Sequence, residues 1–298
     1  MLDALERKIE QFINELNDES TQKLYAQIPA GKRLRAALIL KIAPHTLSSI
    51  KLAAIVELIH AASLLHDDVI DDAFIRRNKP SINASFGNKT AIMLGDILYS
   101  KGFYELCSID AKVAQIISHA VTQLSLGEQA DVMLAKKFNA SKHDYMKMIY
   151  QKTASLIEAS SEAAALLANK DRVIYRNYGR VIGMAFQIID DILDITASSK
   201  QLGKPSMNDF VEGKSTLPYI YLYEALQENE RLKLLSCHGK KLNEQQLAWI
   251  EAKFTEHGII ERCIHEAKAL ALEATLMMQQ EGNESLQKIA QDMVDRDF

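Results

Sequence analysis

The chain has 298 residues, of which 48% are hydrophobic and 25% charged, enough for a large buried core. A net charge of −4 with no basic block excludes a general nucleic-acid binder, and three cysteines without paired spacing (Cys107, Cys237, Cys263) exclude a disulfide framework and a zinc site. Only five prolines and twelve glycines occur, so long helices are expected.

Residues 1–27 read as one amphipathic helix, with Leu2, Leu5, Ile9, Phe12, Ile13 and Leu16 at helical spacing. Its start is charged and heptad-like, unlike a signal peptide, and Glu57 and His60 interrupt the best candidate for a membrane span; a soluble cytoplasmic protein without an integral membrane segment is expected. A Gly-containing turn, Pro29-Ala-Gly-Lys-Arg-Leu-Arg35, then precedes an apolar helix over residues 36–43. Cations at a helix start oppose the helix dipole, but Lys32, Arg33 and Arg35 together with free backbone N–H groups suit an anion. The apolar run Leu52–Leu65 leads into Leu64-Leu-His-Asp-Asp-Val-Ile-Asp-Asp72. On a helix, Asp67 stacks on Asp71, and Asp68 on Asp72 beside them. Four carboxylates there repel one another unless a cation sits among them. His60 lies two turns before Asp67 on the same face. Arg76 and Arg77 follow the carboxylates in a loop marked by Pro80 and Gly87, expected to be a mobile rim.

Helices are expected over 90–107, 110–137 (with Gly127-Glu-Gln-Ala-Asp131) and 141–169. In the last, Lys152 and Thr153 interrupt a core-like pattern, as surface positions do. Residues 172–195 repeat the carboxylate device as Phe186-Gln-Ile-Ile-Asp-Asp-Ile-Leu-Asp194, with Gln187 one turn before Asp191. The breaker-rich loop 202–218 carries Lys204 and Lys214, again base after acid. Helices near 219–235, 243–254 and 258–280 and a short one after them complete the chain. Without a composition break or a nucleotide-binding Gly loop, residues 1–298 read as a single all-α domain. Two all-oxygen clusters suit a hard cation such as Mg²⁺, which keeps several waters and bridges carboxylates to phosphates. Guanidinium groups close by suggest a diphosphate held from both sides.

At this point the chain resembles the trans-type polyprenyl diphosphate synthases. The motifs GKRLR, LLHDDVIDD, RR, GEQAD, KT, FQIIDDILD and GK…EGKSTLP stand in family order over roughly residues 25–298. The resemblance implies a helical bundle around a central cavity, a homodimer, and condensation of isopentenyl diphosphate with an allylic diphosphate. It implies about three Mg²⁺ ions per active site, held by Asp67, Asp68, Asp71, Asp190, Asp191 and Asp194. Arg76, Lys152 and Lys204, with Lys214 nearby, would hold the allylic diphosphate; Lys32, Arg35, His60 and Arg77 would hold isopentenyl diphosphate. Thr153, Gln187 and Asp131 would line the reacting centre, and Asp209 would hold a metal-bound water. The chain departs from the pattern at Asn208, where many members have Asp, and at its end, where only Arg296 matches a basic tail. Small residues at Ala62 and Ser63, where short-chain members carry aromatics, imply a long product of the hexaprenyl-to-decaprenyl class, typical of quinone side chains. Helical phase makes Ile59 and Leu124 candidate wall or floor residues. A terpene cyclase would have no use for the second cationic pocket. A di-iron bundle would need a second Glu-x-x-His beside Glu57-Leu-Ile-His60. A non-catalytic subunit would lack the intact motifs.

Overall fold

The computed structural model describes residues 2–43, 46–196 and 207–294. Among them the chain is helical apart from one two-stranded hairpin. The residues fall into two compact units, one of residues 1–121 and 156–176, the other of 122–155 and 177–298.

In the first unit, helix α1 (Leu2–Asn14) buries Leu5, Ile9, Phe12 and Ile13. It does not run to residue 27. Asn17 adopts a left-handed conformation (φ 52°), which Asn tolerates better than most residues. Asp18 then caps α2 (Glu19–Tyr25) by accepting from the Thr21 N–H at 2.7 Å. Helix α3 (Leu34–Ile42) starts from Arg33, also left-handed (φ 52°). Part of its N-terminus is already taken within the chain. The buried Glu57 carboxylate accepts from the Ala36 N–H at 3.1 Å, and Arg33 pairs with Glu57 (3.2 Å) and Glu6 (2.9 Å). Arg33 is thus tied into the fold.

Helix α4 (Leu47–Ile70) opens with a Thr46–Ser49 capping box and packs against α1, α3 and α6. By length and composition α4 could cross a membrane, but 67% of its most apolar window is buried inside the protein. The hairpin pairs β1 (Ile75–Arg76) with β2 (Lys79–Pro80), and α5 (Ile82–Phe86) and α6 (Asn88–Leu106) follow. Gly102 lets α4 and α6 close together, since a Cβ there would stand 3.1 Å from Ile59 Cγ1.

Helix α7 (Ala111–Leu134) continues from the first unit into the second, which then holds α8 (Lys142–Ile149). A single π-turn, Tyr150–Ala154, leads to α9 (Ser155–Leu167), so the helix expected over 141–169 runs on continuously with a π-turn inside it. Helix α10 (Arg172–Thr196) carries the second carboxylate run. The second unit is completed by α11 (Asn208–Val211), α12 (Leu217–Ala225), α13 (Glu228–Cys237), α14 (Glu244–Glu256), α15 (Ile259–Gln280) and α16 (Glu284–Val294). The helix expected over 219–235 breaks where Leu226 turns extended and Gln227 opens a new capping box with Glu230. In the core, Phe210 stacks on Tyr219 with ring centres 4.2 Å apart, and Phe254 meets Tyr219 edge-on.

Candidate active site

In the first unit, α4 ends at Asp71, whose N–H bonds to the Asp67 carbonyl at 2.8 Å. Asp72 follows in the left-handed region (φ 49°), and the Ala73 N–H closes on the Asp68 carbonyl at 2.9 Å, a Schellman ending. Asp72 therefore leaves the helix and does not stack on Asp68. Asp67 and Asp71 are half-buried, and Asp68 is 3% exposed.

The two arginines beyond, expected in a loop, sit on a regular hairpin. Arg77 and Asn78 are both left-handed (φ 52° and 61°), the backbone of a two-residue I′ hairpin turn between β1 and β2. That turn sends neighbouring arginines to different partners. Arg76 donates from Nη2 (2.5 Å) and Nε (2.7 Å) to one oxygen of Asp68. Arg77 reaches back to the basic turn, donating to the Pro29 carbonyl at 2.7 Å with its guanidinium over Gly31. His60 is partly buried among these groups; desolvation, then the charges of Arg35, Arg77, Arg76 and Arg33, hold its imidazole well below the ordinary value. Lys32 is exposed and Arg35 half-buried. Ala62 is fully buried, Ser63 nearly so with its hydroxyl donating to the His60 carbonyl at 2.9 Å, and Ile59 leans on α6.

In the second unit, the π-turn sets the geometry. One residue more than an α-turn displaces Lys152 and Thr153 from the regular helical phase, a common device at functional sites. They are not surface positions: Thr153 is 8% exposed and Lys152 is half-buried. The turn lies directly on Gly127, where a Cβ would stand 2.2 Å from the Lys152 nitrogen. Glu128 and Asp131, three residues apart on that face of α7, hold the Lys152 ammonium at 2.8 and 2.6 Å. Despite desolvation, Asp131 and Glu128 raise the Lys152 pKa, so it stays charged. Sequence reasoning had Asp131 but not Glu128, although their i, i+3 spacing in Gly127-Glu-Gln-Ala-Asp131 could have signalled the pair.

The Gly127 contact carries a direct test. Gly127→Ala forces a methyl into backbone that cannot swing aside, an overpacking cost of about 1–3 kcal/mol or more. Its melting temperature is expected to fall by roughly 2–5 °C, and turnover to fall with it as Lys152 shifts. An unchanged melting curve and rate would mean that the π-turn does not depend on this contact.

Thr153 Oγ1 donates to Gln187 Oε1 (2.6 Å), Gln187 Nε2 donates to Asp191 Oδ1 (2.8 Å), and Tyr145 Oη donates to Asp191 Oδ2 (2.5 Å). Tyr145, fully buried on α8, is a member that no sequence motif pointed to. Asp190 is half-buried, and Asp194 is buried with Oδ2 accepting from the Asp209 N–H at 3.1 Å. Lys152, Thr153, Gln187, Asp191, Asp209 and Lys214 line one pocket of this unit. Leu124 lies buried on α7. Lys204 and Arg296 fall outside the described residues.

Residues 18–252 match the model of the polyprenyl synthetase family. The fold is similar to that of octaprenyl pyrophosphate synthase from Helicobacter pylori (TM-score 0.94, 43% identity, 99% of this chain and 98% of that one). In sequence the chain is 30% identical to octaprenyl diphosphate synthase of Haemophilus influenzae, covering 100% of this chain and 98% of the relative. It is also 39% identical to a prenyl transferase of Cyanophora paradoxa over 68% of this chain and 65% of that protein. The chain belongs to the polyprenyl synthetase family, with the helical isoprenoid synthase fold. Within it, the chain is a prenyltransferase.

Proposed function

We propose that this protein condenses isopentenyl diphosphate with an allylic diphosphate such as farnesyl diphosphate. Repetition of the step gives a long all-trans polyprenyl diphosphate for quinone side chains. The observation that carries the reading is the divergence of Arg76 and Arg77. One guanidinium is engaged by the carboxylates and the next by the basic turn, which supports two anion subsites and hence two diphosphate substrates. A cyclase would need one.

Among the described residues no three metal-ligating side chains form a ready-made cage. Mg²⁺ binds through one or two carboxylates, retained waters and substrate phosphates. The donor set is all oxygen, and Asp68 already gathers a cationic group, Arg76. Asp67, Asp68 and Asp71, with Asp190 and Asp194, would hold the ions; when bound they neutralise charge developing on the leaving pyrophosphate. Arg76, Lys152, Lys204 and Lys214 are assigned to the allylic diphosphate, and Lys32, Arg35, His60 and Arg77 to isopentenyl diphosphate. The allylic C–O bond breaks with its electron pair leaving on pyrophosphate, and the double bond of isopentenyl diphosphate, held close, attacks the cation. Proton loss to the departing pyrophosphate completes the extension. The working form is proposed to be a cytoplasmic homodimer. Purified protein incubated with farnesyl diphosphate, isopentenyl diphosphate and Mg²⁺ should yield long linear prenyl diphosphates on chromatography. Cyclic hydrocarbons, or no product, would overturn the reading.

The state of His60 adds a pH test. In the free protein its imidazole is neutral near pH 7, because burial and four arginines oppose the proton. A bound diphosphate opposes that local potential and raises the pKa, so this histidine contributes proton uptake on binding and an affinity gain that grows as pH falls through the raised pKa. Calorimetry of isopentenyl diphosphate binding in buffers of different ionisation enthalpy should register the uptake, and His60→Asn should abolish it. Proton-neutral binding in the wild type would remove His60 from the subsite.

A further inference from the structure

Asp191 stands apart from the carboxylates beside it. It is 3% exposed, and both of its oxygens are engaged, one by Tyr145 Oη at 2.5 Å and the other by Gln187 Nε2 at 2.8 Å. Both hydrogen bonds run to the oxygens of Asp191, which thereby holds the amino end of the Gln187 amide. The amide oxygen is then left to face Thr153, which donates to it at 2.6 Å. A hydroxyl has one proton. With that proton committed, Thr153 presents only oxygen lone pairs to the pocket it lines with Lys152 and Lys214. Lone pairs stabilise a carbon that is becoming cationic, whereas a hydroxyl proton turned the same way opposes it.

We propose that Tyr145 and Asp191 are positioning residues that act through Gln187 to hold Thr153 with its oxygen lone pairs toward the reacting allylic carbon. The assignment rests on the prenyl-transfer reading and deepens it. It takes Asp191 out of the metal-ligand set, where the motif alone would put it. It also gives a role to Tyr145, a residue outside every motif. Phenylalanine at position 145 keeps the ring and its packing but gives up the donor. Asp191 then lacks one of its two anchors, and the amide and hydroxyl beyond it lose their fixed orientation.

The test is a double-mutant cycle between Tyr145→Phe and Thr153→Val, with kcat, both KM values and the Mg²⁺ concentration for half-maximal rate measured for each variant. Tyr145→Phe is expected to lower kcat about ten- to a hundredfold, as the relay loses the hydrogen bond that anchors it. KM and the Mg²⁺ requirement should stay within about twofold of wild type. Placed on Thr153→Val it should cost nothing further, because the relay acts through the hydroxyl that is already gone. Thr153→Ser should recover most of the rate. Asp191→Asn, close to isosteric, serves as the second variant should Tyr145→Phe melt early, and it should also leave the Mg²⁺ requirement unmoved while Asp190→Asn shifts it. Losses that multiply in the double variant, or a Mg²⁺ shift in Asp191→Asn matching that of Asp190→Asn, overturn the assignment. A wild type that forms no polyprenyl product overturns the functional reading and this assignment with it. An active wild type equalled by Tyr145→Phe overturns the assignment alone.

Discussion

Alanine at Asp67 or at Asp190 should slow turnover about a thousandfold or more at saturating substrate and Mg²⁺. Each change removes charge stabilisation that matters most as pyrophosphate departs, so the loss falls on kcat more than on KM. Stability should not follow. Asp67 sits in the last turn of α4, where a negative charge opposes both the helix dipole and the carboxylates of Asp68 and Asp71. Its removal should leave the melting temperature unchanged or raise it. Asp68 is the internal contrast, being buried and receiving two N–H groups from Arg76. Asp68→Ala strands that guanidinium and should cost about 1–3 kcal/mol of stability as well as activity. Steady-state kinetics and thermal melts of the three variants separate the roles. Near-normal turnover in Asp67→Ala or Asp190→Ala would end the two-cluster mechanism.

The second large effect concerns product length. Ser63 and Ala62 lie four and five residues before Asp67, about 6–7.5 Å deeper along α4 at 1.5 Å per residue. Neither side chain fills much space, and the Ser63 hydroxyl is satisfied by its own helix, so replacing it orphans no partner. Phenylalanine at either position should block a growing prenyl tail and shift the product from the hexaprenyl-to-decaprenyl class to farnesyl or geranylgeranyl diphosphate. The first condensation should survive. The rival reading is that these small residues serve only close helix packing, as Gly102 does for Ile59. Overpacking would then cost about 1–3 kcal/mol and lower the melting temperature without changing product length. Chromatography of dephosphorylated products decides between them. Leu124→Ala should lengthen the product if Leu124 closes the path.

Much of this was legible in the sequence because the chemistry sits at helix ends, where apolar runs stop abruptly at charged residues. The run into Asp67 and the run into Asp190 could be placed on helices by periodicity alone. What the sequence hid were local backbone choices and pairings between residues far apart in the chain. Asp72 could have continued α4, but the Schellman closure by Ala73 turns it out. Arg33 read as an anion ligand, yet Glu57, twenty-four residues later, claims both it and the start of α3. The π-turn adds a single residue to a turn, too small a change for a hydrophobic pattern to register, and Lys152 and Thr153 were therefore read as exposed. Tyr145 looked like any core aromatic, because its partner Asp191 is forty-six residues away.

The seams between the two compact units fall at 121/122, 155/156 and 176/177, within α7, after the first residue of α9, and within α10. No linker joins the units; the chain passes from one to the other along unbroken helices. Each unit is made of two separate stretches of chain, and either cut out by itself would end in severed helices, each with a turn of unmatched N–H or C=O groups. This protein therefore offers no modular half for recombination with a relative, and grafts between family members must exchange whole helices, with joints in loops such as the one before Asn243.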